Sequence, residues 1–360
     1  MTRLDRLRSR MAEEGVDLVA LAPGAHMAWL LGVTPHGDER PLLACITREH
    51  AGFLMPALEA ESARQHTDLP FYTWVDDAGP TGALERLLED FRAGNAGSFV
   101  LDECMRADHA ALVQDRLLNA KRQFTESTIG VLRMLKDEDE FEVLRRNALT
   151  ADAAMQAAWA AMKPGMTENQ VAGIVRDHFA GQGVKPLFWI IGAGGNGAFP
   201  HHQTGEAVLR EGDAVVLDIG GTMEGYCSDI TRMAVIGSKP EGFDEIHAIV
   251  NAAVEAALAA ARPGVKAHVV DDAARNVITD AGYGDFFAHR TGHGLGTEVH
   301  EPPYITATSQ TVLQEGMVFS IEPGIYLPDR FGLRLEEIVI LHADGPEILS
   351  KLPRDVAVVG

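Results

Sequence analysis

Two stretches of this chain are versions of one another, and that duplication narrows the possible folds more than any other feature. MQAAWAAMKPGM begins at Met155 and VEAALAAARPGV begins at Val254, 99 residues further on, and six of the twelve aligned positions are identical. Each copy reads as the end of an alanine-rich helix, a Pro-Gly stop and then a second helical pattern. The second helix of the first copy opens on Thr167-x-x-Gln170, a capping box, and carries Val171, Ile174, Val175 and Phe179 on one face. Its counterpart carries Val270, Ala274, Val277 and Ile278. Glycine-rich turns and β-type runs follow each helix pair. The pattern predicts an α+β domain of two related halves packed about a pseudo-twofold axis.

Upstream of the repeat, short apolar runs (VDLVALA, PLLACIT, GSFVLD) mix with helical ones such as TGALERLLEDF. They predict a separate small α/β domain over residues 1–127, followed by the duplicated domain over 128–360. Leu4, Leu7 and Met11 recur at helical spacing, so the N-terminus reads as a helix and lacks the apolar core of a signal peptide. The polar stretch KRQFTEST, Lys121 to Thr128, reads as a connector. Asp137 is the expected N-cap of a long helix that carries Phe141, Leu144, Ala148, Met155 and Trp159 on one side. No apolar run reaches the length of about 18 residues that a membrane span needs. Cys45, Cys104 and Cys227 are too scattered for a disulfide framework or a zinc ribbon, which fits a reducing cytoplasm. A net charge of −21 repels phosphate backbones and anionic membranes, which argues against a nucleic-acid or membrane role.

Acids occupy the strands of both halves. GDAVVLDIGGTMEGYCSDITRMAVIG reads as a β-hairpin turning at Gly220-Gly221, with Asp218 on one strand and Asp229 on the other. An aspartate inside VVLDIG is costly unless it is paired or bound to a metal; a turn-capping or solvent-facing role is the alternative. GMVFSIEPGIYLPDRFGLRLEEIVI repeats the arrangement with Glu322 and Glu336. Carrying Asp218 and Asp229 across by 99 residues reaches positions 317 and 328, a few residues short of these glutamates. The duplication thus brings two hairpins face to face, each offering two acids to the axis. Four converging carboxylates cannot all stay ionised without cations. Bridging carboxylates that hold two ions about 3.5–4 Å apart are a common hydrolytic design. Oxygen-rich ligation with one or two imidazoles suits Mn²⁺, Co²⁺ or Zn²⁺.

Two familiar motifs fail. His300-Glu301 begins an HExxH pattern, but Pro302, Pro303 and Tyr304 follow, and the prolines oppose a helix. GAGGNG, Gly192 to Gly197, matches GxGxxG, yet Pro200 interrupts the helix that a dinucleotide pyrophosphate requires. The repeat accounts better for the histidines. His201 and His300 stand 99 residues apart and are expected to be symmetry mates, while His293 lies between glycines in GHGLG, which leaves its imidazole accessible.

LDIGGTMEGYCSDITR, HRTGHGLGTEVHEPP, SIEPGIY and GLRLEEIVI together resemble the pita-bread metallopeptidases, and within them the proline-specific branch of Xaa-Pro dipeptidase (prolidase) and aminopeptidase P. The resemblance covers essentially the whole chain and implies a creatinase-like N-terminal domain ahead of a pita-bread catalytic domain. It implies that Asp218, Asp229, His293, Glu322 and Glu336 bind two divalent metal ions, Mn²⁺ being the first expectation, with Asp229 and Glu336 bridging both. A hydroxide between the ions would attack the carbonyl before proline, with Glu322 moving the proton. His201 and His300 would hydrogen-bond the substrate carbonyl or tetrahedral intermediate, His289 would line the proline pocket, and Arg334 would orient a metal-binding carboxylate. Tyr304, expected to touch substrate, stands where dipeptidase-type relatives often place an arginine that can hold the substrate carboxylate. The expected substrates are small proline-containing peptides, above all Xaa-Pro dipeptides, with longer Xaa-Pro peptides of the aminopeptidase P type as the alternative. A homodimer is also implied. A metal-free catalyst on the same fold, like creatinase, or a non-catalytic pita-bread binding protein would be the other classes; the intact set of five ligands argues against both.

Overall fold

The apolar runs of the N-terminal third form a six-stranded mixed sheet, in the order Phe71–Trp74, Ala51–Pro56, Leu43–Ile46, Leu18–Leu21, Ser98–Leu101, Lys121–Phe124. Alternation along the strands sends Val19 and Leu21 to one face, with Leu7 and Met11 of the helix Arg3–Glu14. Leu18 and Ala20 go to the other, with Leu84 and Leu87 of the helix Thr81–Asp90. The computed structural model describes residues 1–360, and the chain divides into two units, Met1–Arg133 and Met134–Gly360. Ile129 is fully buried in the first unit's core. The expected connector at Lys121 is instead an edge strand, pairing in parallel with Ser98–Leu101. An edge strand keeps one side in water and tolerates such polar residues, which is why its sequence reads as a linker.

The second unit repeats one element order twice. Asp137 and Glu140 form a capping box at the start of the helix Glu138–Ala161, and Thr167 and Gln170 form another at Glu168–Gly181. The strands Lys185–Ala193, Ala214–Met223 and Ile230–Ile236 follow as neighbours in one sheet, with Ala357–Val359 added at its edge. The second half opens on the helices Phe243–Ala260 and Ala267–Asp280. Its sheet runs in the order Glu301–Ile305, Gly292–Gly294, Val318–Ile321, Glu337–His342, Gly345–Ile348. A two-stranded ribbon, Gly324–Leu327 with Phe331–Arg334, stands apart from it. No helix is long and apolar enough to cross a membrane.

The first hairpin turns later than its glycines suggest. Gly220 and Gly221 lie inside the strand, and the turn falls at Glu224 and Gly225, whose φ values are 51° and 84°. A Cβ on Gly220 would collide with the Phe188 ring and the Ser228 carbonyl, and one on Gly221 with Val184 and Phe179. These glycines serve close packing, not the bend. The four acids follow from the two-residue period of a strand. Val215, Leu217 and Ile219 pack into the core shared with the first helix pair, so Asp218 faces the other way. Ile230 and Ala234 fix the matching parity for Asp229. In the second half, Phe319, Ile321, Leu335 and Val339 pack with the helices Phe243–Ala260 and Ala267–Asp280, which turns Glu322 and Glu336 to the opposite face. Glu322 and Glu336 stand where the chain passes between the sheet and the ribbon.

Candidate active site

A cavity of about 790 Å³ opens where the two halves of the second unit meet. Asp218, Asp229, His293, Glu322 and Glu336 all line it, together with His201, His289, His300 and Arg334. Leu187, Phe188, Ile190, Pro200 and Val299 supply an apolar lining, and Arg290 completes the wall. Tyr304 does not line it: the residue is 39% exposed, and the Arg290 guanidinium lies over its ring, 4.7 Å from the ring centre.

The acids are buried beyond what their hydrogen bonds compensate. Asp218 Oδ1, Asp229 Oδ1 and Glu336 Oε1 are inaccessible to water and have no hydrogen-bond partner. Burial pushes the Asp229 and Glu336 carboxyls well above the usual range; Glu336 and then Asp218 raise Asp229 further, and Glu322 and Asp218 do the same to Glu336. Asp218 is raised too, chiefly by burial, with Arg334 opposing. Against burial, the hydrogen bond and charge of His293 hold Glu322 down at about 2. His293 is itself buried, at 3% exposure, and reaches only the cavity, a more enclosed place than its flanking glycines suggest. Those glycines let strands touch: a Cβ on Gly292 would collide with the Ser320 carbonyl. His293 Nδ1 donates to the Gly294 carbonyl at 3.1 Å, since a carbonyl can only accept. Its Nε2 therefore faces the acids, 3.1 Å from Glu322 Oε1 and 3.7 Å from Asp229 Oδ2. Donor atoms of Asp229, His293 and Glu336 lie within 4.8 Å of one another. Orphaned carboxylate oxygens around one oriented imidazole fit divalent cations. A cluster of similar composition in the first unit, His26, Asp102 and Glu103, does not compare, because Arg133 and Thr125 occupy both nitrogens of His26.

Arg334 ties this cluster to the cavity wall. It is fully buried and donates to Asp218 Oδ2 at 2.5 Å, to Thr231 Oγ1 at 3.1 Å and to the Tyr326 hydroxyl at 2.8 Å. Thr231 in turn donates to Glu336 Oε2 at 2.8 Å. His289 Nδ1 donates to the Arg290 carbonyl at 2.7 Å, and burial lowers the pKa of the ring, keeping it neutral. Its Nε2 therefore accepts from the Tyr326 hydroxyl, 2.7 Å away, whose pKa burial raises to about 12. Both nitrogens of His289 are spent, so the ring presents only its faces and edge to the cavity. His300 packs edge-on against His293, with ring centres 4.3 Å apart. Burial, then the charges of His293 and Arg290, lower His300 to about 4, which leaves it neutral at pH 7.

His201 sits on a loop with its own anchor. Glu168, the first residue of its helix and fully buried, accepts from the Ala193 amide at 3.0 Å and Asn196 Nδ2 at 2.9 Å through Oε1. Through Oε2 it bonds His202 Nε2 at 2.8 Å and the Gly205 amide at 3.1 Å. The glycine-rich stretch that resembles a nucleotide loop is part of this clamp. It forms a short 3-10 turn, and Gly197 touches Gly332 backbone to backbone. Sequence reasoning missed Glu168, Arg290, Tyr326 and Thr231 as site residues. The last three stand inside the motifs HRTGHG, SIEPGIY and SDITR, whereas Glu168 looks like any acid in a first helical turn.

A duplicated α+β unit that gathers four buried acids and a histidine around one cavity, following a separate α/β unit in the sequence, has the make-up of a metallopeptidase of the pita-bread fold. The chain belongs to metallopeptidase family M24, whose description matches residues 142–343, with a creatinase/prolidase N-terminal domain matching residues 3–135. It is 32% identical to the Xaa-Pro dipeptidase of Pyrococcus furiosus over 98% of this chain and 99% of that protein. A solved structure of dipeptidase PepE from Mycobacterium ulcerans superposes with a TM-score of 0.94 at 34% identity, covering 99% of this chain and 97% of that one. The X-Pro aminopeptidase from Thermotoga maritima superposes with a TM-score of 0.87 at 31% identity over 100% of both chains.

Proposed function

We propose that this chain is a dinuclear-metal Xaa-Pro dipeptidase. The observation that carries the reading is the set of buried carboxylates with orphaned oxygens around His293, facing the same cavity as His201 and His300. Asp218, Asp229, His293, Glu322 and Glu336 would hold two divalent ions, Mn²⁺ first and Co²⁺ or Zn²⁺ as alternatives. When bound, such ions lower the pKa of a shared water and polarise a carbonyl, which supplies a nucleophile near neutral pH. Glu322, held ionised, takes up the proton released on attack and passes it to the proline nitrogen, which leaves as a neutral amine. His201 and His300 open into the cavity and hydrogen-bond the carbonyl oxygen as charge develops on it. The apolar lining around Phe188, Ile190 and Pro200, with the His289 ring, suits a proline side chain and excludes water from it.

Curated relatives called Xaa-Pro dipeptidase support the dipeptide reading, and the full-length likeness to an X-Pro aminopeptidase supports the second one. Turnover of Ala-Pro against Ala-Pro-Ala by the Mn²⁺-loaded protein separates them. Faster turnover of the dipeptide is expected, and the reverse would favour the aminopeptidase. If Mn²⁺-reconstituted protein bound no metal, and Asp229→Ala kept full activity, the mechanism itself would be wrong.

A further inference from the structure

We infer that Arg290 reads the free C-terminal carboxylate of the substrate, with Tyr304 as the platform that holds its guanidinium. The inference rests on the peptidase reading and adds what sets peptide length. Two guanidinium groups line the cavity, Arg290 and Arg334. Arg334 is buried and each of its three nitrogens already donates, to Thr231, to Tyr326 and the Pro200 carbonyl, and to Asp218, so its charge is committed within the wall. Arg290 faces the same cavity and has no carboxylate partner; its one contact of note is the Tyr304 ring. Every other charged group on the wall is an acid, so Arg290 is the one uncommitted cation that the chain itself offers an anionic ligand there, beside any bound metal ions.

The position suits a dipeptide. Only one Cα separates the nitrogen of the scissile bond from the terminal carboxylate when proline is the last residue. The carboxylate therefore stays within a few ångströms of the reacting carbonyl, and an arginine on the same wall can meet it with two parallel N–H donors. A longer peptide presents a neutral amide at that place and leaves the guanidinium desolvated and unpaired, which penalises it. The backbone of Arg290 is fixed by the bond its carbonyl accepts from His289. Stacking on Tyr304 restrains the side chain, so less rotamer freedom is lost on binding.

Two readouts test this. Calorimetry on the Mn²⁺-loaded protein compares L-proline with L-prolinamide, without any turnover. Hydrolysis compares Ala-Pro with Ala-Pro-amide. The native protein is expected to favour the carboxylate about 10- to 100-fold in each, the worth of one charged hydrogen-bonded pair. Arg290→Gln should abolish the preference, with carboxylate binding and turnover falling and amide turnover unchanged or raised as the unpaired guanidinium is removed, at native metal content and melting temperature; Arg290→Lys should keep part of the preference. Tyr304→Leu should weaken carboxylate binding several-fold without touching the amide. Equal carboxylate preference in Arg290→Gln and native protein, or none in the native protein, would overturn the inference. Loss of hydrolysis with the binding contrast intact would count against the peptidase reading and leave the role of Arg290 standing.

Discussion

Replacing Glu168 by glutamine swaps a carboxylate for an amide of nearly the same volume, and its consequence follows from four hydrogen bonds. All four partners act as donors: two amides, the Asn196 amide and the His202 ring. A glutamine oxygen can serve only one pair, so its NH₂ must face the other. It faces the His202 side at least cost, because an imidazole nitrogen, unlike a backbone N–H, can also accept. The Gly205 amide then loses its acceptor, and the remaining bonds lose their charge assistance. Hydrogen bonds to charged groups contribute about 1.5–3 kcal/mol, and an orphaned buried donor costs about 1–3 kcal/mol. A net loss near 3 kcal/mol is expected, or roughly 6–12 °C in the melting temperature of a unit this size. Glu168→Ala strands all four donors beside a cavity and should lose more than about 4 kcal/mol. Circular dichroism melts measure both, and turnover should fall in parallel because the clamped loop carries His201. A Glu168→Gln protein that melts within 1 °C of the native one, with native turnover, would show that the carboxylate does not organise this loop.

Thr231→Val removes the hydroxyl between Arg334 and Glu336 at almost constant volume, and titration calorimetry should find Mn²⁺ affinity about 10- to 100-fold lower; unchanged affinity would remove Thr231 from the site's support. Mn²⁺ at 100 times its dissociation constant should stabilise the protein by about 2.7 kcal/mol per site, roughly 5–11 °C in a melt against chelated protein. The absence of any shift would contradict the reading of the orphaned oxygens. Glu347 is held at about 2, below its ordinary value of 4.5, first by hydrogen bonds from Arg145 and less by His342. Its contribution is therefore full above pH 4.5 and lost as the pH falls toward 2. Glu347→Gln should lower neutral-pH stability by at most about 1 kcal/mol, given the solvent around the pair, and the difference from the native protein should vanish in acid melts.

The buried acids of the cavity were legible because their surroundings made them anomalous. Asp218 interrupts an apolar strand, and the duplication says that another such hairpin must face it. The histidines were legible for a different reason, since His201 and His300 repeat at the period of the helices. What escaped sequence reasoning depends on side chains crossing between strands or on packing. Arg290 could not be assigned to the cavity without knowing that Tyr304 lies beneath it on the neighbouring chain segment. Lys121–Phe124 carries no apolar alternation because neither of its faces is buried, so nothing marked it as a strand. Gly220 and Gly221 looked like a turn because glycine's freedom and its lack of a side chain leave the same trace in a sequence, and here the second property is the one used.

The bonds radiating from Arg334 also decide where protons can travel. Arg334 is the source of three donor series, one ending at Asp218, one passing through Thr231 to Glu336, and one running through the Tyr326 hydroxyl and His289 to the Arg290 carbonyl. A guanidinium does not deprotonate in a protein, so no proton can be relayed between these branches. His289 has its one proton on Nδ1 and cannot take up another without dismissing Tyr326. A histidine in the wall of a hydrolytic cavity is thereby barred from acid–base traffic. In the proposed reaction, the exchangeable protons near the scissile bond would be left to Glu322 and to the two imidazoles that open into the cavity, His201 and His300.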